Sequence, residues 1–444
     1  MSDTPRPQSR LPQELYDEII DHLSDHPPTL RSCALTCRSF VVKSQRHFFC
    51  NVALSTEPGH PEVQWYKSDI FSFADADRFR SILEGSPHLA SYVLNLRITS
   101  NSHIQKRIDK NERAMHQSRK EKLEEDVTFC LRQLRSLRCL SIDTRQVSPT
   151  FTNLQFQNAL KDVVALPSLI CLDQSTLTEL LFTQRRSLQY LSISSEGFFE
   201  YPSPGRGHNR CRVEFLHIRQ AGFNAPSNLN HYLEQSLDIR NLKCLHIIAG
   251  TTWFSHSLIP DLLRVCSKNL EEFVFDLNYD GDSEMHPVVG FDFSLAELKC
   301  LRNLQIRSVT TETSSFLLQL VELLKSLPTG PTNRLETLSI HTNCFRLKST
   351  ESLIEPWEAL WNLVSDLDYF PCLTNLQFKG FFGMANEGKA LPNVIAWQTH
   401  LNEKQSWSSR LKVRADILKF GKEAFGRPDP FWPDDGFNRL IMRK

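Results

Sequence analysis

Chemistry in a protein chain needs reactive side chains at particular spacings, and few such spacings occur among these 444 residues. There is no G-x-S-x-G nucleophile elbow, no H-E-x-x-H zinc pair and no Walker phosphate loop. Gly205-Arg206-Gly207 is too short, and too polar in its surroundings, for a dinucleotide fingerprint. His22 and His26 stand four apart, a spacing at which two imidazoles on one helix face could share a metal. Asp25 and Pro27 put them at a helix end, however, and no third ligand is near. The twelve cysteines include no CxxC pair. No catalytic residue, metal or cofactor is expected, so the chain reads as a binding protein and not an enzyme.

What recurs instead is a six-residue apolar unit, Φ-x-x-Φ-x-Φ, that places polar residues at fixed positions. It reads VLNLRI from Val93, LRCLSI from Leu137, LQYLSI from Leu188, VEFLHI from Val213 and LKCLHI from Leu242. It continues as LEEFVF from Leu270, LRNLQI from Leu301, LETLSI from Leu335 and LTNLQF from Leu373, with a weaker LICLDQ from Leu169. Alternate residues of a strand face opposite ways, so the residue between the last two apolar positions points away from the core. Those residues are Ser141, Ser192, His217, His246, Gln305, Ser339 and Gln377. The residue just after the unit points the same way: Asp143, Arg219, Asp276, Arg307, His341 and Lys379. Together they predict a mixed polar face, with His217, Arg219, His246, Asp276, Gln305, Arg307, His341, Gln377 and Lys379 as candidate substrate-binding residues. The face has no single charge sign, which suits a protein segment better than nucleic acid. A phosphate reader would need clustered arginines, and none is evident in these units. Cys139, Cys171 and Cys244 share one place, just before the second apolar position, and Cys300 and Cys372 precede the first. Small side chains accommodated beside a strand explain them.

The elements that position this face follow from the linking segments. IPDLLRVCSKNL at 259–270, FLLQLVELLKSL at 316–327 and WEALWNLVSDLDYF at 357–370 have apolar faces at helical spacing, and each runs into the next unit. From Leu188 onward the units begin 25, 29, 28, 31, 34 and 38 residues apart. One such repeat cannot bury its own apolar face; stacking makes a continuous core. A helix near 75–84 ends at Gly85 and leads through Ser86–Pro87 to the first unit. The segment 105–126, dense in both charge signs, reads as a solvated loop or exposed helix. The segment 381–444 shows no clear repeat, and GRPDPFWPDDGF within it suggests a packed end cap.

Bulk properties agree with a soluble folded chain. Fifty-one basic residues balance 51 acidic ones, so neither nucleic acid nor an anionic membrane is implied. Only 16 glycines occur, which argues against a nucleotide-binding enzyme built on glycine-rich loops. The N-terminus lacks the apolar core of a secretory signal, and no apolar run approaches the roughly 18 residues of a membrane span.

The N-terminal stretch LPQELYDEIIDHL, Leu11 to Leu23, predicts a short helix with Leu11, Leu15, Ile19 and Leu23 stacked on one face. Pro12 suits its first turn and DHPP stops it. A second helix is expected from Thr29 and a third from Ser39 toward Phe49. Three short helices make a very small core, and an apolar face left over on such a module predicts a partner surface.

LPQELYDEIIDHL followed by TLRSCALTCRSFVVKSQRHFF resembles the F-box, the three-helix motif that docks on the Skp adaptor of cullin-RING ubiquitin ligases. The resemblance covers residues 10–50 and rests on Leu11–Pro12, Glu14–Leu15, Ile19, Leu23, Cys37–Arg38 and Phe48. Where the family usually has Trp this chain has Phe40, which keeps the aromatic bulk and loses the indole N–H. The spacing is similar to that of F-box proteins of mushroom-forming fungi. The repeats resemble degenerate leucine-rich repeats; Asn278 and Asn343 stand where that family's turn asparagine does. The resemblances imply an α/β chain: a disordered 1–9, an F-box at 10–50, a helical linker or cap at 51–86, an irregular leucine-rich-repeat solenoid at 87–380 with concave parallel strands and convex helices, and a C-terminal cap at 381–444. They imply adaptor binding through Leu11, Pro12, Leu15, Ile19, Leu23, Cys37, Arg38 and Phe40. The implied role is a non-catalytic substrate-recognition subunit of a Skp–cullin–F-box ubiquitin ligase in cytoplasm or nucleus. The alternative is a non-ligase interaction scaffold with a vestigial F-box.

Overall fold

The computed structural model describes residues 11–24, 26–55, 72–99, 110–143, 153–174, 187–194, 210–219, 233, 236–250, 258–278, 291–308, 313–343, 351–382 and 411–419. The chain divides into two compact units, residues 1–174 with 438–444, and residues 175–437. Each is α/β with a parallel sheet. The expectations for 1–9 and for GRPDPFWPDDGF fall outside the described residues.

The first unit opens with three helices: α1 (Gln13–Asp21), α2 (Pro27–Thr36) and α3 (Arg38–Cys50). Pro12 sits at the N-cap of α1 rather than inside it. Pro27 starts α2, and the ring nitrogen Nδ1 of His26 accepts from the Thr29 N–H at 3.3 Å. His26 is therefore a helix cap, which gives the His22/His26 pair a structural explanation. α3 is the hub, contacting both α1 and α2. Ile20 and Leu30 are the fully buried apolar residues of the three helices.

Strand β1 (Asn51–Ser55) follows α3 directly, and β2 (Ser72–Asp75), α4 (Ala76–Gly85) and β3 (Asn95–Thr99) come next. The stretch 51–86, expected to be helical, thus carries two strands. The missed signal is legible in FCNVAL from Phe49, which is itself a Φ-x-x-Φ-x-Φ unit. Its first apolar residue is in α3, so the helix pattern hides it. α5 (Lys110–Gln133), β4 (Cys139–Asp143), α6 (Leu154–Val164) and β5 (Cys171–Gln174) complete the unit. The strand order is β5-β4-β3-β1-β2. Leu96 pairs with Leu140, and Leu140 with Leu172, so the second apolar position is in register throughout.

From Lys110 onward, the charged segment expected to be a solvated loop or exposed helix forms the first part of α5. Its C-terminal part turns inward: Glu124, Asp126 and Thr128 are buried. Arg80 of α4 meets Asp126 there. Its guanidinium bonds Glu84 at 2.8 Å, Asp126 at 3.0 Å and Glu125 at 3.2 Å, and lies over the Phe129 ring at 5.0 Å. Those carboxylates hold its pKa above the ordinary arginine value.

The second unit contains β6 (Ser187–Ser194), β7 (Cys211–Arg219), β8 (Leu237–Asp238), β9 (Cys244–Gly250), α7 (Leu258–Cys266), β10 (Glu272–Asn278) and β11 (Asn303–Ser308). It continues with α8 (Thr313–Lys325), β12 (Thr337–Asn343), α9 (Glu351–Ser365), β13 (Asn375–Phe382) and β14 (Lys412–Lys419). The order is β6-β7-β9-β10-β11-β12-β13-β14, with β8 beside β7. The segment 381–444 therefore contributes a further strand, in register with β13 at Val413 and Ala415. The sequence hid it because alanine and a basic run replace the usual leucines.

Leu216, Leu245, Phe273, Leu304, Leu338 and Leu376 form one continuous row, and Ile218, Ile247, Phe275, Ile306, Ile340 and Phe378 the next. All are buried. A leucine-sized side chain contributes about 1.5–3 kcal/mol when fully buried, so these rows are the principal apolar stabilisation. Phe316, Leu317, Leu320 and Leu324 of α8 and Trp357 and Leu360 of α9 are likewise buried. Between β10 and β11, Phe291 and Phe293 meet Phe275 at ring distances of 6.0 and 5.2 Å.

A second ladder runs at the residue after the first apolar position. The N–H of Lys243 donates to Glu214 O, Glu271 to Lys243, Arg302 to Glu271, and Glu336 to Arg302, each at 2.8 Å. These residues alternate in charge. Lys243 pairs with Glu214 at 3.3 Å and Arg302 with Glu336 at 3.2 Å.

Candidate functional site

The eight residues expected on the adaptor face all lie in the three-helix module. α1 packs through Ile20, which is fully buried, and not through the predicted stripe. Leu11, Leu15 and Ile19 are 44%, 44% and 48% exposed, while Leu23 is half-buried. Pro12 and Arg38 are exposed; Cys37 and Phe40 are half-buried. Leu35 of α2, 83% exposed, and Val42 of α3 are further exposed apolar side chains of the module that the motif did not single out. The cause is simple. In a helix with apolar residues at 15, 16, 19 and 20, two adjacent stripes exist, and only one can face α3.

The module is held by polar and aromatic links. Asp21 meets Lys43 at 3.0 Å and His47 at 2.7 Å, joining α1 to α3. Burial raises the Asp21 pKa, but those two partners outweigh it and hold the carboxyl below its ordinary value. Gln13 Nε2 donates to Ser39 O at 2.9 Å. The Phe40 ring stands edge-on to Tyr16, with centroids 5.3 Å apart at 77°. Backbone and side-chain hydrogen bonds from Ser39 lower the Cys37 thiol from its ordinary pKa.

The nine candidate substrate-binding residues occupy one face of the second unit's sheet, in two parallel rows. The first row is Ser192–His217–His246–Val274–Gln305–Ser339–Gln377–Arg414 by strand register. The second is Ser194–Arg219–Ile248–Asp276–Arg307–His341–Lys379–Asp416. None of the nine is exposed: His217, Asp276 and His341 are buried, and Arg219, His246, Gln305, Arg307, Gln377 and Lys379 are half-buried. This corrects the expectation of an open polar surface. Strands about 4.8 Å apart bring side chains of one row into contact, so some of the polar residues pair with one another, as Asp276 does with Arg307.

Three groupings result. The rings of His217 and His246 stack at 4.2 Å and 11°. The Tyr190 hydroxyl lies 3.2 Å from His217 Nδ1, and Ser192 Oγ 3.4 Å, while His217 Nε2 is buried with no hydrogen-bond partner among the described residues. Burial, with the charges of His246 and Arg219, holds His217 well below the usual imidazole pKa. Asp276 pairs with Arg307 at 3.6 Å. With its amide oriented to suit both groups, Gln305 accepts from Arg307 Nη2 at 2.8 Å and Nε at 2.5 Å. His341 is pushed down to about 3 by burial and by the charges of Arg307 and Lys379. Val274 and Ile248 interrupt the rows with apolar side chains, and Tyr190 and Arg414 belong to the face although the sequence reading passed over them. In the first unit the equivalent row is Arg97–Ser141–Asp173, with Ser141 Oγ donating to Asp173 Oδ2 at 2.9 Å. The side chain of Asp143 lies outside the described residues.

Among the described residues, no three His, Cys, Asp or Glu side chains come together as a metal ion would need. Among them too, no helix is long and apolar enough to cross a membrane. The class defined by these features is a parallel α/β array carrying a small helical module with an exposed apolar face. No protein-family model matches the chain, and no curated protein matches it.

Proposed function

We propose that the chain is the substrate-recognition subunit of a Skp–cullin–F-box ubiquitin ligase, with the N-terminal helices as the F-box and the strand array as degenerate leucine-rich repeats. The observation that carries the reading is the exposure of Leu15 and Ile19 on a helix whose own packing uses Ile20, together with that of Leu11 just before it. Apolar side chains at four-residue spacing that do not serve the fold fit an interface. The sequence resemblance supplies the partner: a Skp-type adaptor and, through it, a cullin. The array would hold a protein substrate so that its lysines come within reach of a recruited ubiquitin-conjugating enzyme, a contribution of proximity alone. Such a role belongs in cytoplasm or nucleus. The paired state of the polar face argues for substrate contacts made by rearranging side chains or at its margins, where Arg414 is exposed.

Co-purification with a Skp-type adaptor tests the reading. Wild type is expected to capture the adaptor, and Leu11→Ala with Pro12→Ala to weaken capture at least tenfold, the scale of interface hot spots above about 1.4 kcal/mol. No capture by wild type, or equal capture by the double variant, refutes it. Capture of the adaptor without a cullin favours the non-ligase scaffold.

A further inference from the structure

The three cysteines that share one place in the repeated unit do not share one environment. Cys244 pairs in register with Phe215 on one side and Glu272 on the other. Cys139 and Cys171 are register partners of each other on β4 and β5. On the far side of Cys139 stands Asn95, and beyond it Asn51, whose amides bond each other at 2.5 Å. The row therefore reads Asn–Asn–Cys–Cys, and the two thiols have each other and no third cysteine beside them in that row.

The geometry fits a covalent link. Paired residues on neighbouring strands lie about 4.7–4.9 Å apart across the hydrogen-bonding direction. A disulfide accepts Cα separations of about 4.4–6.8 Å. Both side chains leave the same face of the sheet, as directly paired residues of neighbouring parallel strands do. Cys139 is 3% exposed and Cys171 fully buried.

We propose that Cys139 and Cys171 are an oxidative modification site, a dithiol that a small peroxide converts to an intramolecular disulfide tying β4 to β5. Cys139, which keeps a trace of exposure where Cys171 has none, is the first nucleophile, and burial raises the Cys171 thiol well above its ordinary pKa. The Cys139 thiolate attacks one peroxide oxygen, the O–O bond breaks, and sulfenic acid and hydroxide form; the hydroxide takes the thiol proton and leaves as water. The Cys171 sulfur then attacks the Cys139 sulfur, the S–O bond breaks, and the oxygen departs as water with the Cys171 proton. Two thiols and one hydrogen peroxide give one disulfide and two waters, with two electrons passing to the peroxide.

The full-length chain, treated with limiting hydrogen peroxide, alkylated and mapped by mass spectrometry, tests this. A Cys139–Cys171 cross-link is expected before any other pair, reversed by dithiothreitol and accompanied by a higher thermal midpoint. Cys171→Ser is expected to leave a sulfenic acid at Cys139 that a 1,3-diketone reagent captures. Oxidation that proceeds at other cysteines while Cys139 and Cys171 remain unlinked overturns the assignment, and so does a Cys171→Ser chain with no trappable adduct at Cys139. The wild-type mapping stands independently should that variant fail to fold.

Discussion

Helix α1 leaves Leu15 and Ile19 in solvent, with Leu11 just before it also exposed, whereas helix α8 takes Phe316, Leu317, Leu320 and Leu324 out of it completely. Both carry apolar residues at helical spacing. The difference lies in what surrounds them. α8 lies between β11 and β12 in sequence and packs beside α9, so its apolar face has neighbours on several sides. α1 meets α3, and one such contact accommodates Ile20 and not the adjacent stripe. Periodicity therefore identifies an apolar face but not what covers it. In the array that face is buried in the fold; in the module it is left exposed.

Substitutions at the two faces separate these roles. Leu338→Ala, at a fully buried array position, is expected to lose about 2–5 kcal/mol of unfolding free energy, read by urea denaturation. A loss below about 1 kcal/mol would show that the row collapses around the gap and that the array is less tightly packed than its burial implies.

Acid should also act on the array. His217 and His341 are held neutral with depressed pKa values, the latter about 3, while unfolded histidine titrates near 6.5. Below about 6.5 the unfolded chain binds more protons, so stability is expected to fall as pH drops from about 6.5 toward 3. Denaturation midpoints measured across that window check the slope, and His341→Gln should make it shallower. An unchanged slope would remove His341 from the account.

Smaller effects complete the contrast. Lys243→Glu places like charges beside Glu214 and Glu271 on the ladder and should cost about 0.2–1 kcal/mol, recovered only in part by the swap Glu214→Lys with Lys243→Glu, which leaves residue 243 beside Glu271; thermal melts in low and high salt measure it. Leu15→Ala should change stability least, within about 0.5 kcal/mol, while weakening adaptor capture. A stability loss as large as that of Leu338→Ala would make α1's outer stripe part of the fold and remove its claim to be an interface.

Much of this was legible in the residues. Every Φ-x-x-Φ-x-Φ unit quoted from Val93 to Leu373 overlaps a strand, because apolar residues at positions four and six are buried together on one side of a strand. The segments at 259–270, 316–327 and 357–370 begin or continue helices for the same reason. Harder to read were β1, whose first apolar residue doubles as the end of α3, and β14, where Val413 and Ala415 are weak members of the pattern. The inward turn of α5 was hidden because Glu124 and Asp126 look like surface charges until Arg80, 46 residues before Asp126, is placed beside them.

The candidate site divides the same way. The sequence by itself determined which residues share a face, since a period of two along a strand and of about 3.6 along a helix is a local property of the backbone. It placed His217, His246, Arg307 and His341 in rows, and Leu11, Leu15 and Ile19 in a stripe. Only the tertiary structure decided what each face meets. Register between distant strands set His217 against His246, Arg307 against Asp276 and Cys139 against Cys171, and thereby brought polar residues of the face against one another. Helix packing chose Ile20 over Ile19 for the interior. Burial and pairing depend on contacts between residues far apart in the chain, and no local spacing encodes them.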